Sequence, residues 1–118
     1  MKKLITPFLL LALTLVAAAP VNITTFTVTC DGGYVGGCFQ PHFVASPLDQ
    51  NVSYQIDGYG PNGEWIPWGP FSNATSIDDA TGGSLTPGGT WNFEIHALGN
   101  NGNEKGKVLA STSVTTTP

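Results

Sequence analysis

Arginine is absent from this sequence of 118 residues, and charged side chains of all kinds make up only 10% of it. Lysine supplies the four basic residues, against eight acidic ones. An acidic chain without arginine repels phosphate backbones and anionic lipid, and it has no guanidinium group to clamp a phosphate or carboxylate. The composition therefore argues against binding to nucleic acids or to membrane surfaces.

Residues that commonly carry catalysis are also scarce. The only histidines are His42 and His96, and the sequence has no nucleophile elbow, no HExxH motif and no phosphate-binding loop. Glu94 and His96, two residues apart on a strand, would share one face as an acid–base pair or as two metal ligands. A solvated outer sheet face explains the same spacing, and no third ligand is visible. We predict a protein that is not an enzyme and has no cofactor.

Calcium is the metal for which the sequence comes nearest to offering ligands. Asp78 and Asp79 lie just before a Gly-Gly pair, and Asp57 is a third candidate if the fold brings it near them. The spacing matches no calcium-binding loop, and turns alone account for Asp and Gly in such a segment. We therefore predict no metal site.

The one long hydrophobic run lies at the N-terminus. Lys2 and Lys3 precede an apolar stretch at 4–16, which ends in the small residues at 17–19. This is the pattern of a secretory signal peptide, and the stretch is shorter than the roughly 18 residues of a membrane span. We predict a signal peptide at 1–18 with cleavage after Ala18, followed by one secreted domain at 19–118 that is not inserted in a membrane.

Cysteine occurs only at Cys30 and Cys38, on either side of a glycine-rich segment. Exported chains meet oxidising conditions, in which such a pair forms a disulfide; two buried free thiols are the alternative. We predict the disulfide, which closes a short loop and adds about 2 to 3 kcal/mol of stability by the loop-entropy model.

Helical periodicity is missing from residues 19–118, because Gly, Pro, Asn and Thr interrupt every window. Alternating apolar and polar residues predict strands instead, most clearly at 90–98, where Trp91, Phe93 and Ile95 share a face. A polar hairpin loop is predicted at 99–106. The other predicted strands are 21–30, 39–46, 52–57, 64–71, 74–77 and 108–116. Seven strands separated by turn residues predict an all-β sandwich of two sheets.

Residues 85–97 (LTPGGTWNFEIHA) resemble the sixth-strand signature of fibronectin type III domains, which are immunoglobulin-like sandwiches. Residues 52–65 are similar to the third strand and following turn of that family, and residues 109–117 to its closing strand. The sequence departs from the family pattern at Trp91, where tyrosine is usual, and it lacks the core tryptophan of the second strand. The resemblance implies a seven-stranded sandwich with a role in adhesion or spacing.

Four aromatic residues fall in or beside predicted turns: Tyr34, Tyr59, Trp65 and Trp68. Exposed rings on a rigid scaffold stack on sugars or anchor protein interfaces, so these are the candidate ligand-binding residues. The alternative is that one of the two tryptophans closes the core while the other covers an edge. Trp91 is predicted to belong to the core.

Three sequons for N-linked glycosylation begin at Asn22, Asn51 and Asn73, and their use depends on the host.

Together these features predict a secreted, non-catalytic binding or adhesion module that recognises an extracellular carbohydrate or protein. One alternative is a self-assembling subunit of a surface layer or filament, which would pair through sheet edges or through the Thr-rich segment 111–117. Another is an exported protease inhibitor that presents the loop between Cys30 and Cys38.

Overall fold

A computed structural model of the chain describes residues 22–31, 37–80, 82–99 and 104–118. The predicted signal peptide, its cleavage site and Tyr34 lie outside the described residues. In chain order the strands are β1 (Thr25–Asp31), β2 (Gln40–Ser46), β3 (Ser53–Tyr59), β4 (Trp65–Phe71), β5 (Ile77–Ala80), β6 (Gly89–Gly99) and β7 (Glu104–Thr116).

The strands form two antiparallel sheets, a three-stranded one in the order β1-β2-β5 and a four-stranded one in the order β4-β3-β6-β7. The predicted all-β, seven-stranded sandwich is confirmed. β4 pairs with β3 and not with β5. In the four-stranded sheet β3 and β6 are therefore the central strands, and β4 and β7 are the outermost ones. No helix of the length and hydropathy needed to cross a bilayer occurs in the described part of the chain.

Several strand boundaries differ from the sequence prediction, and two of these differences, in β5 and β7, concern polar segments. β5 begins at Ile77, where the prediction ended it, because Asp78 and Asp79 lie in the strand and not in a turn. β7 begins at Glu104, inside the segment predicted to be a hairpin loop. A strand whose side chains are mostly polar and face solvent shows no apolar alternation, so the sequence pattern does not predict it.

The core between the sheets is built around four aromatic rings. The ring centroid of Phe43 on β2 lies 5.0 Å from that of Trp68 on β4 and 5.8 Å from that of Phe93 on β6. Trp91 stacks on Phe93 at 6.5 Å and is fully buried, as predicted. A Cβ atom at Gly58, on β3, would lie 2.7 Å from the Trp68 ring, so this position requires glycine.

Trp91 also ties the start of β6 to the end of β7. Its indole Nε1 donates a hydrogen bond to the Thr86 carbonyl at 3.3 Å, five residues upstream. The same carbonyl accepts a hydrogen bond from the Thr116 hydroxyl at 2.8 Å. The segment that enters β6 is therefore anchored from both sides.

The predicted disulfide between Cys30 and Cys38 is confirmed. It links β1 to the residues that lead into β2. Cys38 and Leu85 exchange two backbone hydrogen bonds, of 3.0 and 2.7 Å, so the cross-link is also held against the segment before β6.

Candidate functional site

The outer face of the four-stranded sheet carries the most chemically varied side chains of the described structure. Alternate residues of β6, among them Trp91, Phe93 and Ile95, are buried in the core, so Asn92, Glu94 and His96 point outward. The neighbouring strands add their own outward residues to this face.

One row of outward residues crosses the whole sheet. The register places Trp65 of β4 opposite Tyr59 of β3, Tyr59 opposite Asn92 of β6, and Asn92 opposite Ser113 of β7. We call these four residues the transverse row. With neighbouring strands about 4.8 Å apart, the row is about 14 Å long and reaches from one outermost strand to the other.

The transverse row begins with exposed aromatic rings and ends with free polar groups. Trp65 is 56% exposed and Tyr59 is 36% exposed. Asn92 and Ser113 are also exposed, and within the described residues no hydrogen bond engages the side chain of either. Apolar rings therefore lie beside donors and acceptors that remain available to a ligand.

An open groove of about 640 Å³ follows the β3 to β7 part of this face. Its lining residues are Tyr59, Asn92, Phe93, Glu94, Ser111, Thr112 and Ser113. Glu94 and Ser111 are register partners in the row next to the transverse row. Hydroxyl, amide and carboxylate groups make up most of the groove lining, with the exposed ring of Tyr59 at its β3 end; the side chain of Phe93 is buried in the core.

Trp65 is held in position by a buried carboxylate. Its indole Nε1 donates a hydrogen bond to Asp57 Oδ1 at 3.0 Å. Gln55 Nε2 donates to the same oxygen at 2.8 Å, and Lys105 Nζ donates to Asp57 Oδ2 at 2.9 Å. Asp57 has no accessible surface although it lies on the outer face. The contact fixes the indole while more than half of the Trp65 surface stays accessible.

The charges of this cluster are set by the same contacts. Burial by itself would raise the pKa of Asp57, but hydrogen bonds from Lys105, Gln55 and Trp65 outweigh it and hold the pKa below its ordinary value. The hydrogen bond to Asp57 raises the pKa of Lys105. Both groups are charged near neutral pH, and the ammonium group of Lys105 is already engaged by a carboxylate.

The turn between β3 and β4 is pinned by Glu64. One carboxylate oxygen of Glu64 accepts the backbone N–H of Asn62 at 2.7 Å, and the other accepts the Thr86 hydroxyl at 2.6 Å. The hydrogen bond from Thr86 is the main cause that lowers the pKa of Glu64. This turn carries Tyr59 at its start and Trp65 at its end, so the two rings are presented by a braced hairpin.

Glu94 and His96 share the outer face, as their spacing predicted, but the imidazole is buried. His96 Nδ1 donates to the Gly106 carbonyl at 2.8 Å, and Nε2 has no hydrogen bond. Nε2 lies 3.5 Å from both Asp57 Oδ2 and Glu94 Oε1. A substrate therefore reaches Nε2 only if the side chains around it move.

Asp57 is not close to the other two acidic residues considered as calcium ligands. Asp78 and Asp79 lie on β5, in the opposite sheet, where Asp78 contacts His42. That three-carboxylate set does not form. Among the described residues, no group of three or more His, Cys, Asp and Glu side chains is arranged to hold a metal ion.

The two candidate tryptophans do not lie side by side. Trp68 is only 6% exposed, it packs in the aromatic core, and its Nε1 donates to the Gly82 carbonyl at 2.7 Å. A spacing of three residues on a strand places two side chains on opposite faces, which explains the separation. Trp68 is therefore removed from the candidate ligand site, whereas Tyr59 and Trp65 are brought together.

The three sequon residues Asn22, Asn51 and Asn73 are exposed, and Asn73 has a positive φ of 58° between β4 and β5. Glycosylation of these residues stays a prediction.

No protein-family model, curated protein or solved structure matches the chain.

Sequence analysis missed Asn92, Ser111 and Ser113 as site residues. Alternation places Asn92 on the outward face of its strand, which was a usable signal. Asn92 lies beside Tyr59 and Ser113 only because of the register in which β3, β6 and β7 pair. The local sequence does not determine that register.

Proposed function

We propose that this protein is a secreted, non-catalytic carbohydrate-binding module with a fibronectin type III-like sandwich. Its ligand face is the outer face of the four-stranded sheet. The observation that carries the proposal is the exposed Trp65–Tyr59 pair, paired across β3 and β4 and continued by Asn92 and Ser113.

A sugar offers two kinds of surface, an apolar face of C–H groups and a rim of hydroxyls. The transverse row matches both, with indole and phenol rings for stacking and free amide and hydroxyl groups for hydrogen bonds. Because Trp65 is bonded to Asp57 and its turn is braced by Glu64, little side-chain freedom is lost on binding.

The family assignment is supported by strand order and by the corner at Trp91. In constant-type immunoglobulin domains the fourth strand belongs to the sheet of the fifth, whereas here β4 pairs with β3, so the strand order differs from the constant type while the two-sheet sandwich is kept. The hydrogen bond from Trp91 Nε1 to the Thr86 carbonyl is similar to the tyrosine corner, in which a ring donor bonds to backbone a few residues upstream.

Secretion is supported by the N-terminal sequence pattern and by the Cys30–Cys38 bond, since structural disulfides persist in oxidising compartments. A non-catalytic role is supported by the burial of His96, which separates its imidazole from a ligand in the groove, although Glu94 itself lines that groove.

The test is a titration of the mature protein with soluble polysaccharides, followed by intrinsic fluorescence. Trp68 and Trp91 are buried, so a saturable change in emission reports on Trp65. Affinity electrophoresis in polysaccharide-containing gels extends the comparison to Trp65→Ala and Tyr59→Ala, which we expect to lose retardation. Phe39→Ala is the matched control, because Phe39 is 72% exposed but precedes β2 of the other sheet. Absence of binding to every glycan would overturn the proposal.

A second candidate, self-assembly, is favoured by the outer edge of β7. This strand of 13 residues is outermost in its sheet, contains no proline, and exposes Val108 and Leu109. The opposite edge, β4, carries Pro67 and Pro70, which lack the N–H groups that pairing requires. An addition of strands at β7 would extend the sheet from a single side of each copy.

A further inference from the structure

We infer that the ligand is an internal stretch of an uncharged linear polysaccharide that lies along the transverse row, across the strands. This inference rests on the proposed carbohydrate-binding function and narrows it in two respects, the direction of the bound chain and its charge.

The direction follows from the register. Trp65 belongs to one outermost strand of the sheet and Ser113 to the other, with Tyr59 and Asn92 between them. A ligand that uses the whole row passes over both edges of the sheet. Binding of this kind takes the middle of a chain, whereas recognition of a chain end requires a site closed on one side.

The charge follows from the side chains at the groove. Its lining residues include the carboxylate of Glu94 and no cationic group. Lys105 reaches this face, but its Nζ is bonded to Asp57 Oδ2 at 2.9 Å, so its charge is already balanced by a carboxylate. An anionic sugar would therefore meet a like charge at Glu94 without an available partner.

Glu94 is the residue that would enforce this selection. Its side chain is about one-third exposed, and within the described residues its Oε1 lies 3.5 Å from His96 Nε2. Its register partner Ser111 is uncharged, so no cation across the groove offsets the carboxylate. The Glu94 carboxylate would repel a uronate or sulfate group bound over β6, and this repulsion would weaken binding of the anionic polymer.

The experiment compares two polymers with one backbone. Hydroxyethyl cellulose is uncharged and carboxymethyl cellulose carries carboxylates on the same glucan; laminarin, galactomannan, alginate and polygalacturonate extend the two classes. We expect binding to at least one uncharged polymer and affinity weaker by about tenfold or more for the anionic ones. High salt should narrow that difference, because it screens exposed charges.

Two variants test the role assigned to Glu94. Glu94→Gln should reduce the ratio of neutral to anionic affinity, whereas Asp79→Asn, which removes an exposed carboxylate on the other sheet, should leave the ratio unchanged. Borohydride reduction of the polymer ends should not alter binding to the wild-type protein, since the ends are not contacted.

The outcomes separate this inference from the proposed function. Anionic polymers that bind as tightly as neutral ones, with binding lost in Trp65→Ala, would leave the binding module standing and overturn the charge selection. Loss of binding after end reduction would overturn the internal mode alone. Failure of all polymers, of either charge, would overturn both the proposed function and this inference.

Discussion

Asp57 and Trp65 are joined by a hydrogen bond of 3.0 Å between a fully buried carboxylate and the most exposed of the three tryptophans. The carboxylate that accepts this bond is also the partner of Lys105. Changes at Asp57 therefore act on the stability of the sheet and on the orientation of the candidate ligand ring together, and experiments on this face must separate the two effects.

The two tryptophans of β4 should behave in opposite ways. We expect Trp65→Ala to abolish glycan binding and to lower the free energy of unfolding by about 1 kcal/mol, the cost of one hydrogen bond. Trp68→Ala empties the space beside Phe43 and Phe93, so it should lower that free energy by about 3 to 5 kcal/mol. Urea denaturation and affinity electrophoresis of both variants check this. Equal destabilisation by the two substitutions would contradict the assignment of faces.

The ion pair between Asp57 and Lys105 should stabilise the fold measurably, because the carboxylate is buried. Asp57→Asn keeps the shape of the side chain and an acceptor oxygen, and we expect it to lower the free energy of unfolding by about 2 kcal/mol. A double-mutant cycle with Lys105→Met isolates the pair, with an expected coupling of about 1 to 2 kcal/mol. Additivity of the two substitutions would show that the pair contributes nothing.

The same carboxylate predicts a specific acid dependence of stability. The pKa of Asp57 in the folded protein lies below its ordinary value of 3.8, so folding favours the ionised form. Its contribution is present above pH 3.8 and is lost as the pH falls through the folded-state pKa. The free-energy difference between wild type and Asp57→Asn should be constant near neutral pH and shrink below pH 3.8. Urea denaturation at a series of pH values measures this free-energy difference. A difference that grows on acidification would contradict the lowered pKa of Asp57 in the folded protein.

The alternation of apolar residues was sufficient to predict the sandwich, because β-strands bury every second side chain whatever their partners are. The strand at 90–98 shows this, with Trp91, Phe93 and Ile95 buried as predicted. The bounds of β5 and the start of β7 escaped prediction, since residues such as Asp78, Asp79 and Lys105 carry no apolar periodicity. Their place in the sheets comes from pairing with strands already formed.

The candidate site could be predicted only in part. The aromatic residues Tyr59 and Trp65 stand out in the sequence, and the spacing of Trp65 and Trp68 already contained the information that they face opposite ways on a strand. The burial of Asp57 could not be foreseen, because it depends on Lys105, which is 48 residues away along the chain.

The disulfide should matter for stability and not for glycan binding. Replacing Cys30 and Cys38 together by Ser removes a cross-link across eight residues, which by the loop-entropy model costs about 2.5 kcal/mol. The transverse row lies on strands β4, β3, β6 and β7, none of which contains either cysteine. We expect a lower melting temperature with unchanged retardation in polysaccharide gels. Loss of glycan binding in a Cys30→Ser, Cys38→Ser variant that remains folded would contradict this expectation. It would indicate that the loop between the cysteines belongs to the functional surface.

The edge of β7 gives the sharpest means of weighing self-assembly against ligand binding. If copies pair through this edge, the wild-type protein forms dimers at high concentration, because an outermost strand presents unpaired backbone groups and the exposed Val108 and Leu109 add apolar contact. A Val108→Lys, Leu109→Lys variant places two charges at that edge and should remain monomeric in light scattering coupled to size exclusion. Its glycan affinity should be unchanged, since neither residue lines the groove.

A wild-type protein that is monomeric at all concentrations would exclude the assembly hypothesis. If the double variant loses both assembly and glycan binding, the ligand is held between two copies and not by the sheet face of one copy.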